Sequence, residues 1–455
     1  MHEQTADKTR EARGGAVLLV SAIAAALGSF LFGFDTAVIS GTTETLQKLY
    51  SLSPGRLGFT VSSALIGTLF GALLVGRPSD RWGRRPVLMV LAVVFLLSAI
   101  GCGLAWNWYA LLFFRWLGGL AIGGTSVVSP VYITEIAPAR RRGLLVAVSQ
   151  LNIVVGILVS YLSNYIVALV LGPEHPAVWR WMFAVAAAPS VAFFLASLAI
   201  PESPRWLIKM GKRALAESIL ARFGHENPRR EADEIEQSLR TGRAEGHQRL
   251  FQPRYYKPLL LAAMVAAFNQ LDGINAVIYY TAKIFREAGA SESDALMLSV
   301  VVGLTNLVMT IVAMGLIDRV GRKSLLLVGS VTFVLSHLLA AWVIAPGAER
   351  WLVMAALMGI VGSHAYSQGA VVWVIINELL PNTIRAAGSA AITFLLWLLD
   401  IAVTWSFPPL VRHSGSAVFV FFAAMMVLQF FLVLKYLPET KGASLEELQT
   451  QLAGG

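Results

Sequence analysis

Three short charged patterns occur twice in this chain, in the same order and at nearly the same separation. Asp80-Arg81-Trp82-Gly83-Arg84-Arg85 returns 238 residues later as Asp318-Arg319-Val320-Gly321-Arg322-Lys323. Glu135, Pro138 and Arg142 return 243 residues later as Glu378, Pro381 and Arg385, and Pro201-Glu202-Ser203 returns 237 residues later as Pro438-Glu439-Thr440. Each copy lies at the end of a long apolar stretch. Polar patterns confined to the ends of apolar runs constrain the chain to two copies of one membrane unit in parallel order, an arrangement that builds transporters.

The composition requires a bilayer. With 455 residues, 56% hydrophobic and only 14% charged, the chain carries more apolar surface than one soluble core can bury. Runs of about 20 apolar residues, the length that crosses ~30 Å of hydrocarbon, predict spans at 16–42, 58–76, 86–106, 109–133, 144–171, 178–200, 258–285, 295–317, 324–346, 351–377, 386–411 and 414–437. The fold class expected is an all-α membrane protein of twelve helices in two pseudo-symmetric six-helix halves. Arg77, Arg81, Arg84, Arg85, Arg140, Arg141, Arg142, Arg319, Arg322, Lys323 and Arg385 fall in alternate loops, which places those loops and both termini in the cytoplasm. The net charge of +9 therefore reads as topology and attraction to anionic lipid, with no nucleic-acid partner. The first apolar segment is too long for a signal-peptide core and is expected to remain as a span. A lone cysteine, Cys102, excludes an intrachain disulfide and reads as a small buried apolar residue.

The expected organisation is an N-terminal tail at 1–15, a six-helix half at 16–200, a cytoplasmic helical linker at 201–257, a second half at 258–437 and a tail at 438–455. In the linker Ala214, Ile219 and Leu220, then Ile235 and Leu239, recur at helical spacing, predicting two or three short amphipathic helices that tie the halves together.

The duplicated charges sit where spans end on the arginine-rich face. Guanidinium forks clamp carboxylates, and acids and bases at helix ends complement the helix dipoles. Asp80, Arg84, Glu135, Arg142, Glu202, Arg205, Asp318, Arg322, Glu378, Arg385 and Glu439 are thus candidates for a cytoplasmic latch between the halves. The plainer alternative is that they anchor helix ends and set topology.

Ionisable residues within spans are costly and mark function. Asp35, Arg115, Asp272 and Asp400 stand out. Arg115 begins a row with Gly119 and Gly123 that lets another helix approach. Asp35 is its natural partner: burial favours a proton on Asp35 and Arg115 favours its removal, so a moving arginine would switch proton affinity. A permanent structural pair is the alternative. In Asn269-Gln270-Leu271-Asp272-Gly273-Ile274-Asn275 the mid-span glycine predicts a break that turns amides toward a cavity. Amides suit a ligand rich in hydroxyls, because each offers donors and acceptors. Gln150, Asn269, Gln270, Asn275 and Asn306, with Trp373 to stack on a sugar ring, form a candidate polyol site, although each amide alone could equally join helices.

The chain resembles the sugar porter family of the major facilitator superfamily over essentially its whole length. The residues that carry the resemblance are Phe32-Gly33-Phe34-Asp35-Thr36 with Ile39-Ser40-Gly41, residues 76–85, Pro130-Val131-Tyr132-Ile133 with Glu135 and Arg142-Gly143, Pro201-Glu202-Ser203-Pro204-Arg205-Trp206-Leu207, Gln270 with Gly273, Asn275, Tyr279 and Tyr280, and Pro438-Glu439-Thr440-Lys441-Gly442. The resemblance implies alternating access and a central site reading a monosaccharide or polyol through Gln150, Gln270, Asn275 and Asn306, with Trp373 stacking. Proton-coupled members carry an acid where Asp35 stands and an arginine where Arg115 stands. With the short termini, this points toward the bacterial proton-linked sugar symporters of the cell inner membrane.

Several positions depart from the family pattern. Asn269 replaces the first of two glutamines, and Leu396 an amide before Trp397. Asp272 and Asp400 replace residues that are usually neutral, and could hydrogen-bond a sugar, bind a second proton or favour a cationic ligand. Gly369-Ala370 stands where Gly-Pro is common, which should reduce kinking in the tenth span. His364 and His337 read as packing or pore residues rather than proton carriers. The expected function is proton-coupled monosaccharide symport, with a facilitative sugar or polyol (inositol) uniporter as the alternative. A non-transporting sensor would need a longer signalling tail. A membrane-embedded enzyme is a weaker reading still, since no metal-ligand cluster, nucleophile/base pair or phosphate-cradling loop appears in the sequence, and no enzyme activity is expected. No cofactor beyond the coupling proton is expected, and the monomer is the expected functional unit.

Overall fold

The computed structural model describes residues 2–138, 142–244, 250–344, 349–381 and 383–441; the side chains of 2–14, 142–144, 146, 241–244, 318 and 386 lie outside that description. The described residues form nineteen α-helices and one short 3₁₀ turn, without strands. The first half contains α1 (His2–Val38), the turn Ile39–Gly41, α2 (Thr43–Leu49), α3 (Pro54–Leu74), α4 (Gly76–Trp82), α5 (Arg84–Gly103), α6 (Trp108–Ile136), α7 (Arg142–Leu171), α8 (Val178–Ala184) and α9 (Ala187–Ala199). The linker forms α10 (Pro204–Lys209), α11 (Arg213–Arg222) and α12 (Pro228–Ala244). The second half contains α13 (Pro253–Leu271), α14 (Ile274–Glu287), α15 (Glu292–Val320), α16 (Arg322–Val343), α17 (Arg350–Tyr366), α18 (Gln368–Leu379) and α19 (Arg385–Tyr436).

Eleven of the described stretches are long and apolar enough to cross a membrane. The last of them, Ala387–Tyr436, is two spans run together, because Ser414 leaves helical geometry (φ −160°, ψ 100°) and Ser416 donates instead to the Ala341 carbonyl. The count is therefore the predicted twelve. Helix starts follow ordinary capping chemistry: Asn107 Oδ1 accepts from the Ala110 amide at 2.8 Å, and Ser291 Oγ accepts from Asp294 at 3.1 Å.

Three spans are interrupted, each for a local reason. The seventh breaks where Gly273 adopts a left-handed conformation (φ 75°, ψ 6°) that a side chain would strain, as its position predicts. The sixth is split between α8 and α9; Pro189 lacks the N–H that would continue the ladder through this turn. The tenth corrects an expectation. Despite Gly369-Ala370 in place of Gly-Pro, it breaks at Ser367 (φ −113°, ψ −91°), whose hydroxyl donates back to the Ser363 carbonyl and competes with the helix ladder.

The chain packs as two units that do not follow the sequence halves. One comprises 1–34, 66–156 and 183–246, the other 35–65, 157–182 and 247–455. In the first, α3 and α6 cross closely: a side chain on Gly67, Gly71 or Gly123 would collide with the Trp116, Leu120 or Thr68 carbonyl across the contact. The linker helices belong to this unit. Arg213 pairs with Glu217 on its own helix at 2.8 Å and joins α11 to α12 through Asp233 and Glu236 at 2.6 and 3.0 Å, while the buried apolar face of α11 carries Ala216, Ile219 and Leu220.

In the second unit, segments of the first half pack onto the second half. Tyr161 donates to the Ile278 carbonyl at 2.8 Å, Ser40 Oγ accepts from the Ala282 amide at 3.0 Å, and Arg286 pairs with Glu44 at 2.9 Å. The Arg286 hydrogen bond holds the Glu44 carboxyl down at about 2, against the opposing effect of burial.

Candidate functional site

The duplicated charges build the same device twice. Gly83 (φ 102°, ψ 169°) and Gly321 (φ 98°, ψ 156°) occupy a backbone region open essentially to glycine, and each turn presents two amides to one carboxylate. Glu202 accepts from the Arg84 amide at 2.9 Å and from the Arg85 amide at 3.3 Å. Glu439 accepts from the Arg322 amide at 3.0 Å and from the Lys323 amide at 3.1 Å. The next cation then donates to carbonyls near the end of the span that leads into that carboxylate: Arg85 to Ser197 and Leu198, Lys323 to Leu434. Burial pushes the Glu202 carboxyl up, and the amides of Ser203, Arg84 and Arg85 pull it back.

The guanidinium of each motif completes the device. Arg84 forks onto Glu135 at 2.8 and 2.9 Å and reaches Asp80 at 3.1 Å, while Ser203 Oγ donates to Glu135 at 2.6 Å. In the second copy Arg322 meets Glu378 at a looser 3.5 Å. Lys209 pairs with Asp80, and the Trp206 indole donates to the Asp80 carbonyl, which fixes the linker to the first motif.

The bonds described above each lie within one repeat and the linker or tail that follows it. Arg385 donates to the Leu380 carbonyl at 3.2 Å, and Arg205 approaches Ser238 rather than an acid. The side chains of Arg142 and Asp318 lie outside the described residues.

The polar residues of the second half converge on the α13/α14 break. Gln270 Nε2 donates to Asn269 Oδ1 at 3.0 Å, and Asn275 Nδ2 donates to Gln270 Oε1 at 2.8 Å, giving a chain of three amides on either side of Gly273. Asn269 and Gln270 are buried and Asn275 is half-buried. Asn275 also interacts with Asp400, which is buried on α19 and accepts from Thr404 Oγ1 at 3.1 Å. Tyr280 donates to the Thr404 carbonyl at 3.2 Å and stacks on Phe407.

The other predicted residues are placed on their helices without joining this chain of bonds. Asn306 is buried in α15, and Trp373 is 40% exposed on α18, one turn before Asn377. Gln150 is half-buried on α7 in the first unit. Arg115 is buried in α6, its guanidinium 5.6 Å from the Phe183 ring centre, whereas Asp35 is half-buried near the end of α1 and belongs to the second unit.

Asp272 is fully buried, and both its oxygens are occupied. Oδ1 accepts from the Ile274 amide at 2.9 Å, capping α14, and Oδ2 meets His364 Nδ1 at 2.8 Å. The Asp272 carbonyl accepts from His337 Nε2 at 2.9 Å, and the His337 ring stacks on Phe333. The packing role expected of His337 fits this geometry. The bond from His364 to Asp272 was not visible in the sequence: the residues are 92 positions apart, and neither carries a spacing signal.

The sugar (and other) transporter family model matches residues 21–452. The chain is 38% identical over 447 residues to the arabinose-proton symporter of Bacillus subtilis, covering 97% of this chain and 96% of the relative. It is 34% identical over 464 residues to the D-xylose-proton symporter of Escherichia coli, covering 94% of each. The solved inward-open structure of the xylose transporter XylE from E. coli superposes with a TM-score of 0.82 at 33% identity, over 94% of this chain and 98% of that one. The structure of the proton:xylose symporter XylE bound to 6-bromo-6-deoxy-D-glucose superposes with a TM-score of 0.79 at 33% identity, over 96% and 99%. The repeated glycine turns, the twelve spans and these similarities lead to one conclusion: the chain belongs to the sugar (and other) transporter family and is a multi-pass membrane transporter, not an enzyme.

Proposed function

We propose that this protein is a secondary active transporter that carries a pentose or hexose together with a proton across the bacterial cytoplasmic membrane by alternating access. The observation that carries this reading is the chain of amides Asn269, Gln270 and Asn275 at the helix break. Each primary amide has two donor hydrogens and an acceptor oxygen, so the bonds among them leave capacity for sugar hydroxyls. The names of the relatives, an arabinose-proton and a D-xylose-proton symporter, support the same substrate class and coupling ion.

In this reading Gln150, Asn306 and Trp373 complete the sugar site, Asp35 carries the coupling proton, and Arg115 modulates its affinity. The two carboxylate-bound glycine turns stiffen the helix ends they join in each half. The arginine-rich loops and both termini face the cytoplasm and touch anionic headgroups, and the monomer is the functional unit. No organic cofactor is required.

Reconstitution in liposomes tests this directly, with labelled pentoses, hexoses and inositols presented with and without an inward proton gradient. The expected result is gradient-driven accumulation of a pentose or hexose above equilibrium. Equilibration without accumulation would replace symport with facilitated diffusion, and no uptake of any of these compounds would overturn the sugar assignment.

A further inference from the structure

We propose that Asp272 and His364 form a second proton-binding site, separate from Asp35, which ties together the two helix breaks at Gly273 and Ser367. The proposal rests on the reading of the protein as a proton-coupled transporter, which the test below separates from it.

Asp272 sits at the end of α13 and His364 in the last turn of α17, so their 2.8 Å bond joins the interrupted seventh span to the interrupted tenth. Asp272 is 0% exposed, while the His364 side chain keeps 18% of its surface. His364 is therefore the route by which a proton reaches the carboxylate. Its ring also packs against Gly369 in the first turn of α18, so a change at the Ser367 break acts on the ring directly.

Two other titratable groups lie close to this pair, His337 and Asp400. From α16, His337 bonds a carbonyl through Nε2, which must then carry the hydrogen, and its buried Nδ1 has no acceptor among the described residues, so a second proton on this ring would gain no partner there. From α13 and α14 the facing groups are the neutral amides and the Ile274 N–H. Two residues before His364, Gly362 lies beside Thr305 and Met309 of α15, and Gln368 of α18 is bonded to Gln429. From α19, Asp400 contributes the field of a second acid.

With the proton bound, the pair is neutral overall, and a net-neutral pair is the form an apolar interior tolerates. Release removes one proton from His364 Nε2 to water and leaves the Asp272 carboxylate bonded to a neutral ring through Nδ1–H. That leaves a net negative charge, which favours hydration of the break. The amide chain spans the same break at Gly273, so the proton and the sugar act on one hinge.

The test uses the full-length protein in lipid. Infrared difference spectra between acidic and alkaline buffer, recorded without sugar, report carboxyl and imidazole protonation. The expected result is a titrating signal in the wild type that disappears in Asp272→Asn and in His364→Asn and persists in Asp35→Asn. His364→Asn retains a donor near the Nδ1 position, so the contact survives without a titrating ring. In liposomes the number of protons carried per sugar, measured from reversal potentials with D-xylose and arabinose, is expected to fall by one in His364→Asn. A wild-type spectrum unchanged by both substitutions would overturn the site. An unaltered proton-to-sugar ratio in a folded His364→Asn would overturn its part in coupling. A titrating pair in a protein that equilibrates sugar without accumulation would refute the symport reading and leave the pair standing.

Discussion

Replacing Gln270 with alanine separates a substrate site from a merely structural polar cluster. The side chain is buried, donates to Asn269 at 3.0 Å and accepts from Asn275 at 2.8 Å. Its removal leaves an acceptor on Asn269 and a donor on Asn275 without partners, and removes the central amide offered to a sugar. One or two unmade hydrogen bonds in a buried site cost on the order of 1–3 kcal/mol, which corresponds to roughly 5- to 150-fold weaker binding. Titration calorimetry with D-xylose and arabinose on purified protein, beside the thermal midpoint of each variant, measures this. Gln368→Ala is the control, since Gln368 is equally buried and bonded to Gln429 at 2.7 Å but lies outside the amide chain. Equal losses of affinity in the two variants, or unchanged affinity in Gln270→Ala, would refute the reasoning.

Other expectations follow from the same contacts. Asp35→Asn should abolish uphill accumulation while sugar counterflow remains measurable; persistent accumulation would remove Asp35 from coupling. Glu135→Ala takes the forked carboxylate from the Arg84 guanidinium, which is only 10% exposed, and leaves it Asp80 and the Ser79 carbonyl, so it should cost at most about 3 kcal/mol of stability, the low end for breaking a buried pair. Glu378→Ala, across a 3.5 Å and wetter contact, should cost clearly less, and thermal unfolding of the two variants in one detergent compares them. The Glu44 carboxyl is held down from 4.5 to about 2 by Arg286, so its contribution is complete above pH 4.5 and lost as pH falls toward 2. Glu44→Gln should therefore flatten the decline in thermal midpoint across that acid window, and an unchanged decline would mean that this pair does not contribute to it.

Much of this protein was legible before folding was considered, because membranes simplify the problem. Apolar runs of spanning length can only be helices in hydrocarbon, and their count and the duplicated motifs followed from the one-dimensional pattern. The Gly273 break was readable because glycine adopts a left-handed turn without strain, and here it stands between amides that need an opening in an otherwise apolar run. The Ser367 break was not, since it depends on a hydroxyl competing for one carbonyl. The acids and bases of the duplicated motifs were legible in the sequence, while which guanidinium meets which carboxylate depends on how the spans cross.

The sequence alone therefore determined the spans, the repeat and the family, all of which rest on local chemistry and spacing. The tertiary structure decided that Arg84 forks onto Glu135, that three amides form one chain across a break, and that Asp272 meets a histidine 92 residues away. Those contacts arise between helices whose lateral packing in an apolar solvent is set by shape and by the pairing of scarce polar groups, and neither leaves a period in the chain.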